Sequence, residues 1–165
     1  IKFGSTSFTE NVFNVSVKSV IVLPLLVLIA SFSTFYFNYV SLPVNFELVK
    51  LSTILASVSY GLLPGLAVGV SSTFFGKVLI GRIDEKLPLS MIMISLVAIA
   101  ASIFGGAGIT TVGIVLVLLY NLSMLFLSQV MGGDLAWNVP YEASNFLFNM
   151  FLFLKVAPFL AELMR

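Results

Sequence analysis

Val20–Phe37, Leu87–Phe104 and Ile109–Val130 each run for eighteen residues or more without a charge. About eighteen consecutive apolar residues are enough for a transmembrane helix. Hydrophobic residues make up 59 % of the 165 and charged ones only 9 %, against about 25 % charged in a soluble domain. The pattern predicts an all-α membrane protein, a compact bundle of about six transmembrane helices in one integral membrane domain with multi-pass topology.

The predicted spans are 18–37, 46–60, 64–80, 87–104, 109–130 and 143–163. The second and third could be one helix by hydropathy alone. From Phe46 to Ile80, however, a single helix would be about 52 Å long at 1.5 Å per residue, and the hydrocarbon core is about 30 Å thick. Pro64 lacks a backbone donor and disfavours helical geometry at Leu63. A tight turn at "GLLP" joining two short helices is therefore expected.

Six spans put both termini on one side of the membrane. Lys2, Lys18 and Arg165 place that side in the cytoplasm by the preference of cations for it. Residues 1–17 contain no apolar core of the signal-peptide kind, so no cleaved leader is expected. The odd loops, 38–45, 81–86 and 131–142, then share the outer face and hold most of the polar chemistry, including Asn45, Glu47, Arg82, Asp84, Lys86, Asp134, Trp137, Asn138, Tyr141 and Glu142. The even turns, "GLLPG" and "GGAG", hold no charge.

Helices in lipid associate through small residues and polar side chains. Gly61, Gly65 and Gly69 are spaced four apart and are expected to form one helix-packing face. Glu47 and Lys50, three apart, read as an ion pair at the start of the second span. Lys77 and Lys155 read as snorkelling cations. Asn145 and Asn149 form a polar ridge on the last span, below Trp137 and Tyr141. Asn121 and Gln129 read as interhelical hydrogen-bonding groups. Aromatic walls with a few convergent amides are what a solute pocket requires.

Other functions find little footing. A net charge of +1 with no basic stripe argues against a nucleic-acid partner. The chain has no His and no Cys, which removes the commonest metal ligands, a Ser–His–Asp triad and thiol chemistry. It contains no phosphate loop. No enzyme activity, cofactor or metal site is expected.

The stretch "LPVNFELVKLSTILASVSYGLLPGLAVGVSSTFFGKVL" (Leu42–Leu79) and the closing "VPYEASNFLFNMFLFLKVAP" (Val139–Pro158) resemble the substrate-binding S components of energy-coupling factor transporters, with an aromatic–Gly–x–x–x–Gly turn between spans and asparagines ahead of an apolar helix. The same features are similar to the rod-shape membrane protein MreD, a non-enzymatic scaffold in cell-wall synthesis. The first span lacks the alanine pair on which S components dock, and Lys77 stands where MreD often carries an acid. The S-component resemblance implies that the odd loops close over a small, vitamin-like solute at the outer face. A membrane coupling subunit and ATPase subunits would then drive its uptake. On that resemblance Trp137 and Tyr141 stack on the solute, Asn138, Asn145 and Asn149 hydrogen-bond it, and Asn45 and Glu47 stand beside it. Its partners would be the solute, membrane lipid and the transporter subunits. The MreD resemblance implies cell-wall partners and no solute.

Overall fold

The computed structural model describes residues 17–84 and 86–164. Residues 1–16, on which most of the expectation of no cleaved leader rests, with the terminal cations Lys2 and Arg165 and with Glu85, lie outside the described residues, as do the side chains of Val17 and Lys18. Seven α-helices follow in order: α1 (Val17–Phe32), α2 (Val49–Tyr60), α3 (Leu62–Leu79), α4 (Lys86–Phe104), α5 (Ile109–Val130), α6 (Leu135–Lys155) and α7 (Ala157–Met164). Short 3-10 turns lie at Phe35–Asn38 and Gly105–Ala107. No strand occurs among the described residues. Lipid offers no hydrogen bonds, so a spanning chain must satisfy its backbone internally, and helices do so.

Four stretches are long and apolar enough to cross a membrane: Ser19–Asn38, Leu62–Leu79, Lys86–Ala107 and Ile109–Val130. The pair α6 and α7, bent by 53°, passes the same test only when the two are taken together, and counts as a fifth if they form one broken span. These candidate spans are consistent with a multi-pass membrane protein. The second predicted span, 46–60, is different. Only its last 12 residues form a helix, α2, about 18 Å long, and the chain from Tyr39 to Leu48 is an irregular strap leading into it.

That short helix is the hub. Ten of its residues are buried, Val49–Ser57 and Tyr60, and it packs against each of the other six helices. Its hydroxyls turn inward on the helix itself: Thr53 Oγ1 donates to the Val49 carbonyl at 2.7 Å and Ser57 Oγ to the Thr53 carbonyl at 2.8 Å. The outside of the bundle is apolar, with Ile21, Leu28, Ile92, Leu119, Phe126 and Phe151 all exposed. Much of the polar chemistry is inside, where Lys50, Thr53, Asn45, Asn145 and Asn149 are fully buried.

Glycines set the close approaches. A Cβ on Gly65 would lie 1.9 Å from Ser57 Oγ and 2.9 Å from the Ser57 Cα, and one on Gly69 would lie 2.9 Å from Thr53 Oγ1. These two of the three glycines of α3 thus let its backbone meet α2. The first of the three predicted packing glycines does something else. Gly61 has φ 96° and ψ −176°, a region open essentially only to glycine. It is the whole link between α2 and α3, so the expected turn at "GLLP" shrinks to one residue. Pro64 sits in the first turn of α3, where a missing donor costs nothing. Gly76 admits Thr34 of the first crossing, and Gly113 of α5 admits the Phe153 ring of α6, whose Cδ1 would lie 2.0 Å from an added Cβ.

The last span departs most from expectation. The predicted loop 131–142 ends at Asp134, whose Oδ1 accepts from the Ala136 amide at 2.9 Å and caps α6. Leu135–Glu142 is helix, so Trp137, Asn138, Tyr141 and Glu142 stand on the first two turns of α6 rather than in a loop. At the other end the predicted span 143–163 is broken at Val156. Pro158 cannot donate to the turn before it and its ring would collide with the Leu154 carbonyl of a straight helix. The chain bends, and α7 returns to α2, where Tyr60 Oη donates to the Met164 carbonyl at 3.1 Å.

Candidate functional site

The three longer connections, described at residues 39–48, 80–84 and 131–134, lie at one end of the bundle, and a cavity of about 230 Å³ opens there. The strap gives it Asn45 and Glu47, and the start of α2 gives Val49 and Lys50. The last turns of α3 give Gly76, Lys77 and, just beyond, Ile80 and Arg82. Lys86 and Ser90 come from the start of α4, Tyr120, Met124 and Ser128 from α5, and Trp137, Asn138, Tyr141 and Glu142 from α6. Phe37 and Thr34 close the side under the first crossing.

The strap is the unusual part, because irregular backbone inside a membrane protein needs a partner for each polar group. Side chains from the first crossing and from α6 supply them. Tyr36 Oη accepts from the Phe46 amide at 2.7 Å and donates to the Val44 carbonyl at 3.0 Å. Ser33 Oγ accepts from the Leu48 amide at 2.8 Å, and Ser144 Oγ from the Asn45 amide at 2.9 Å. Asn145 Nδ2 donates to the Asn45 carbonyl and Asn149 Nδ2 to the Glu47 carbonyl, each at 3.5 Å. Asn149 also donates to the Asn145 carbonyl at 3.0 Å.

This separates the predicted site residues into two groups. Asn45, Glu47, Trp137, Asn138 and Tyr141 all border the cavity. Asn145 and Asn149 do not. Both are fully buried, and the Asn ridge holds the strap that forms the cavity wall rather than facing a solute. The four-residue spacing that suggested a ridge is real, and places Tyr141, Asn145 and Asn149 on the face of α6 turned towards the strap.

Lys50 has moved furthest from its expected role. Its side chain is 1 % exposed, paired with Glu47 and placed over the Tyr120 ring, 4.4 Å from the centroid. An interfacial pair in sequence is thus a buried pair at the cavity floor. Lys77 lines the cavity and pairs with Asp84 at 3.5 Å rather than reaching only for the membrane surface. Arg82 stacks over Phe37 at 5.6 Å, and Phe37 stacks on Tyr141 with centroids 5.9 Å apart. Lys86 Nζ donates to Ser128 Oγ at 3.3 Å, and Asn138 Nδ2 donates to the same oxygen at 2.8 Å. Lys155, by contrast, is exposed at the end of α6.

Sequence reasoning gathered the loop charges at one end of the bundle and missed Tyr120 and Met124. The available signal was the Glu47–Lys50 spacing. Nothing in the apolar run of α5 marks Tyr120 as different from a lipid-facing aromatic. Asn121, its neighbour, is buried and donates to the Glu142 carbonyl at 3.2 Å, which fastens α5 to α6 beside the cavity. No protein-family model matches this chain, nor does any curated protein or solved structure.

Proposed function

We propose that this chain is a solute-binding membrane subunit, which captures a small molecule in the cavity at the end of the bundle where its longer connections lie. The observation that carries the reading is the segregation of charge. Four of the eight basic residues and two of the seven acidic ones line one cavity, beneath an aromatic rim of Phe37, Trp137 and Tyr141. Ionisable groups at membrane depth are costly and mark pathways and binding sites. A cavity walled by aromatics with a few converging polar groups is the usual form of a small-molecule site.

The chain holds no phosphate loop, His or Cys, so the reading is capture without catalysis, and transport would need energy from another polypeptide. That fits the substrate-binding subunit of an energy-coupling factor type importer, with the cavity on the outer face, termini in the cytoplasm, and a coupling subunit and ATPases as partners. The cavity, about 230 Å³, lies just below the roughly 300–1,000 Å³ range of ligand pockets, which suits a solute at the small end of the vitamins.

Trp137 is the single Trp in the chain and lies at the cavity with half its surface exposed. A screen of vitamins and similar metabolites against its fluorescence tests the reading. A saturable change with at least one compound, together with nucleotide-binding subunits among co-purifying proteins, is expected. A flat response across the screen, with cell-wall synthesis proteins in the pull-down, would favour the MreD-like scaffold instead.

A further inference from the structure

The charged groups of the cavity are not balanced. Glu47 is taken up by Lys50, and Lys77 by Asp84. That leaves Arg82 and Lys86 without a salt bridge among the described residues, with one unpaired carboxylate, Glu142, in the same lining, within reach of the Lys50 and Lys86 charges. The donors are also underused. A guanidinium carries five N–H groups and an ammonium three, yet Arg82 makes a ring contact with Phe37 and Lys86 one hydrogen bond to Ser128. The Lys77–Asp84 pair is loose at 3.5 Å, and Asp84 is 43 % exposed. Such a pair is worth little, so Lys77 can exchange Asp84 for another acid. Finally, α2 starts at the cavity with no side-chain cap and no acid in its first turn, and the N-terminal end of a helix favours negative charge.

We infer that the solute is a small organic anion, with its acid group, a carboxylate or a phosphate, on Arg82 and Lys86 and its body against Phe37, Trp137 and Tyr141. The inference rests on the reading of this cavity as a solute site and adds the charge of what enters. An acid group brought between these two cations meets the donors they leave free, and charge-assisted hydrogen bonds of this kind are the stronger ones. A cationic amine meets the reverse situation: Glu47 is already paired, and the one unpaired carboxylate of the lining, Glu142, is outnumbered by Arg82 and Lys86, which repel it. The aromatic rim takes a flat ring, and Arg82, stacked on Phe37, stands where rim and cation meet.

The test uses the full chain in detergent at low ionic strength, with Trp137 fluorescence as the readout. Four probes share one ring and differ in charge: benzoate, phenyl phosphate, benzamide and benzylamine. Benzoate or phenyl phosphate is expected to bind about tenfold more tightly than benzamide, with benzylamine weakest, and the better of the two acids tells carboxylate from phosphate. Arg82→Gln with Lys86→Gln is expected to remove that preference, while Arg82→Lys keeps most of it; unchanged helical circular dichroism checks that each variant folds. Equal binding of acid, amide and amine would overturn the anion inference and leave the solute site standing. An acid preference that survives the double variant would overturn the assignment to these two cations. No response to any probe or to the metabolite screen would overturn both the inference and the reading beneath it.

Discussion

The two ends of the bundle solve the same problem, turning a chain round inside a membrane, in opposite ways. At the plain end the turns are almost nothing. Gly61 alone joins α2 to α3, and Gly105–Gly108 joins α4 to α5. Backbone groups stay in helices, and contact comes from missing side chains, with α3 pressed on α2 through Gly65. At the cavity end the strap 39–48 leaves its helix altogether, and Tyr36, Ser33, Ser144, Asn145 and Asn149 supply its hydrogen bonds. One end is economical and closed. The other spends buried polar groups to hold a wall open, and the charged residues collect behind that wall.

Substitutions can break each half of this contrast separately. The largest effect is expected from filling the glycine contacts. Gly65→Leu or Gly113→Leu places a side chain into the backbone of α2 or the ring of Phe153, at a cost of about 3 kcal/mol or more. Thermal unfolding in detergent should show a large fall or no monodisperse protein, and a melting point like the parent's would refute the close packing. At the cavity floor, Lys50→Met leaves the part-buried Glu47, 18 % exposed, without its cation and is expected to cost about 3 kcal/mol. Adding Glu47→Gln should recover most of that; a double variant as unstable as the single one would show that the pair is not the cause.

Two smaller changes compare the turns directly. Asn149→Ala strands the Glu47 carbonyl and is expected to cost about 1–3 kcal/mol. It should also quicken amide hydrogen exchange at 45–48, while leaving the plain end protected. Gly61→Ala is expected to cost about 1–3 kcal/mol as well, through backbone strain alone, with no change at the strap. Exchange that quickens at both ends in either variant would mean the ends are not independent. The smallest effect belongs to Lys155→Ala. That exposed side chain pairs with no acid among the described residues, so its removal should stay within about 0.5 kcal/mol on the same thermal assay.

How far the sequence could be read follows the same division. The charge-free runs settle α4 and α5 almost to the residue, since lipid-facing helices must be apolar throughout and the expected 87–104 and 109–130 meet the observed 86–104 and 109–130. Gly65 and Gly69 were legible as packing residues because small residues in an apolar helix have few other uses. Leu135–Glu142 was not legible as helix. Its Trp, Asn, Pro, Tyr and Glu look like a loop when the neighbour is assumed to be lipid, but they face a cavity and a strap. The same blindness hid Lys50. Hydropathy grades a residue by what it would cost in lipid, and Lys50 is inside the protein, against Glu47 and Tyr120. Asn145 and Asn149 show the limit from the other side: their spacing marked a polar face, but not that the face binds backbone.

The central claim is that water reaches a cationic cavity at one end of an otherwise dry bundle. The chain has no cysteine, so single cysteines can be placed at will. Met124 borders the cavity, and Val117, two turns away on the same helix, is 1 % exposed in the core. Met124→Cys and Val117→Cys, each treated with membrane-impermeant thiosulfonates bearing a sulfonate or an ammonium group, give the most direct measurement. The account predicts that Cys at 124 is modified, faster by the sulfonate reagent, and that Cys at 117 stays free. A cysteine at 124 as inert as one at 117, or one that prefers the ammonium reagent, would contradict it.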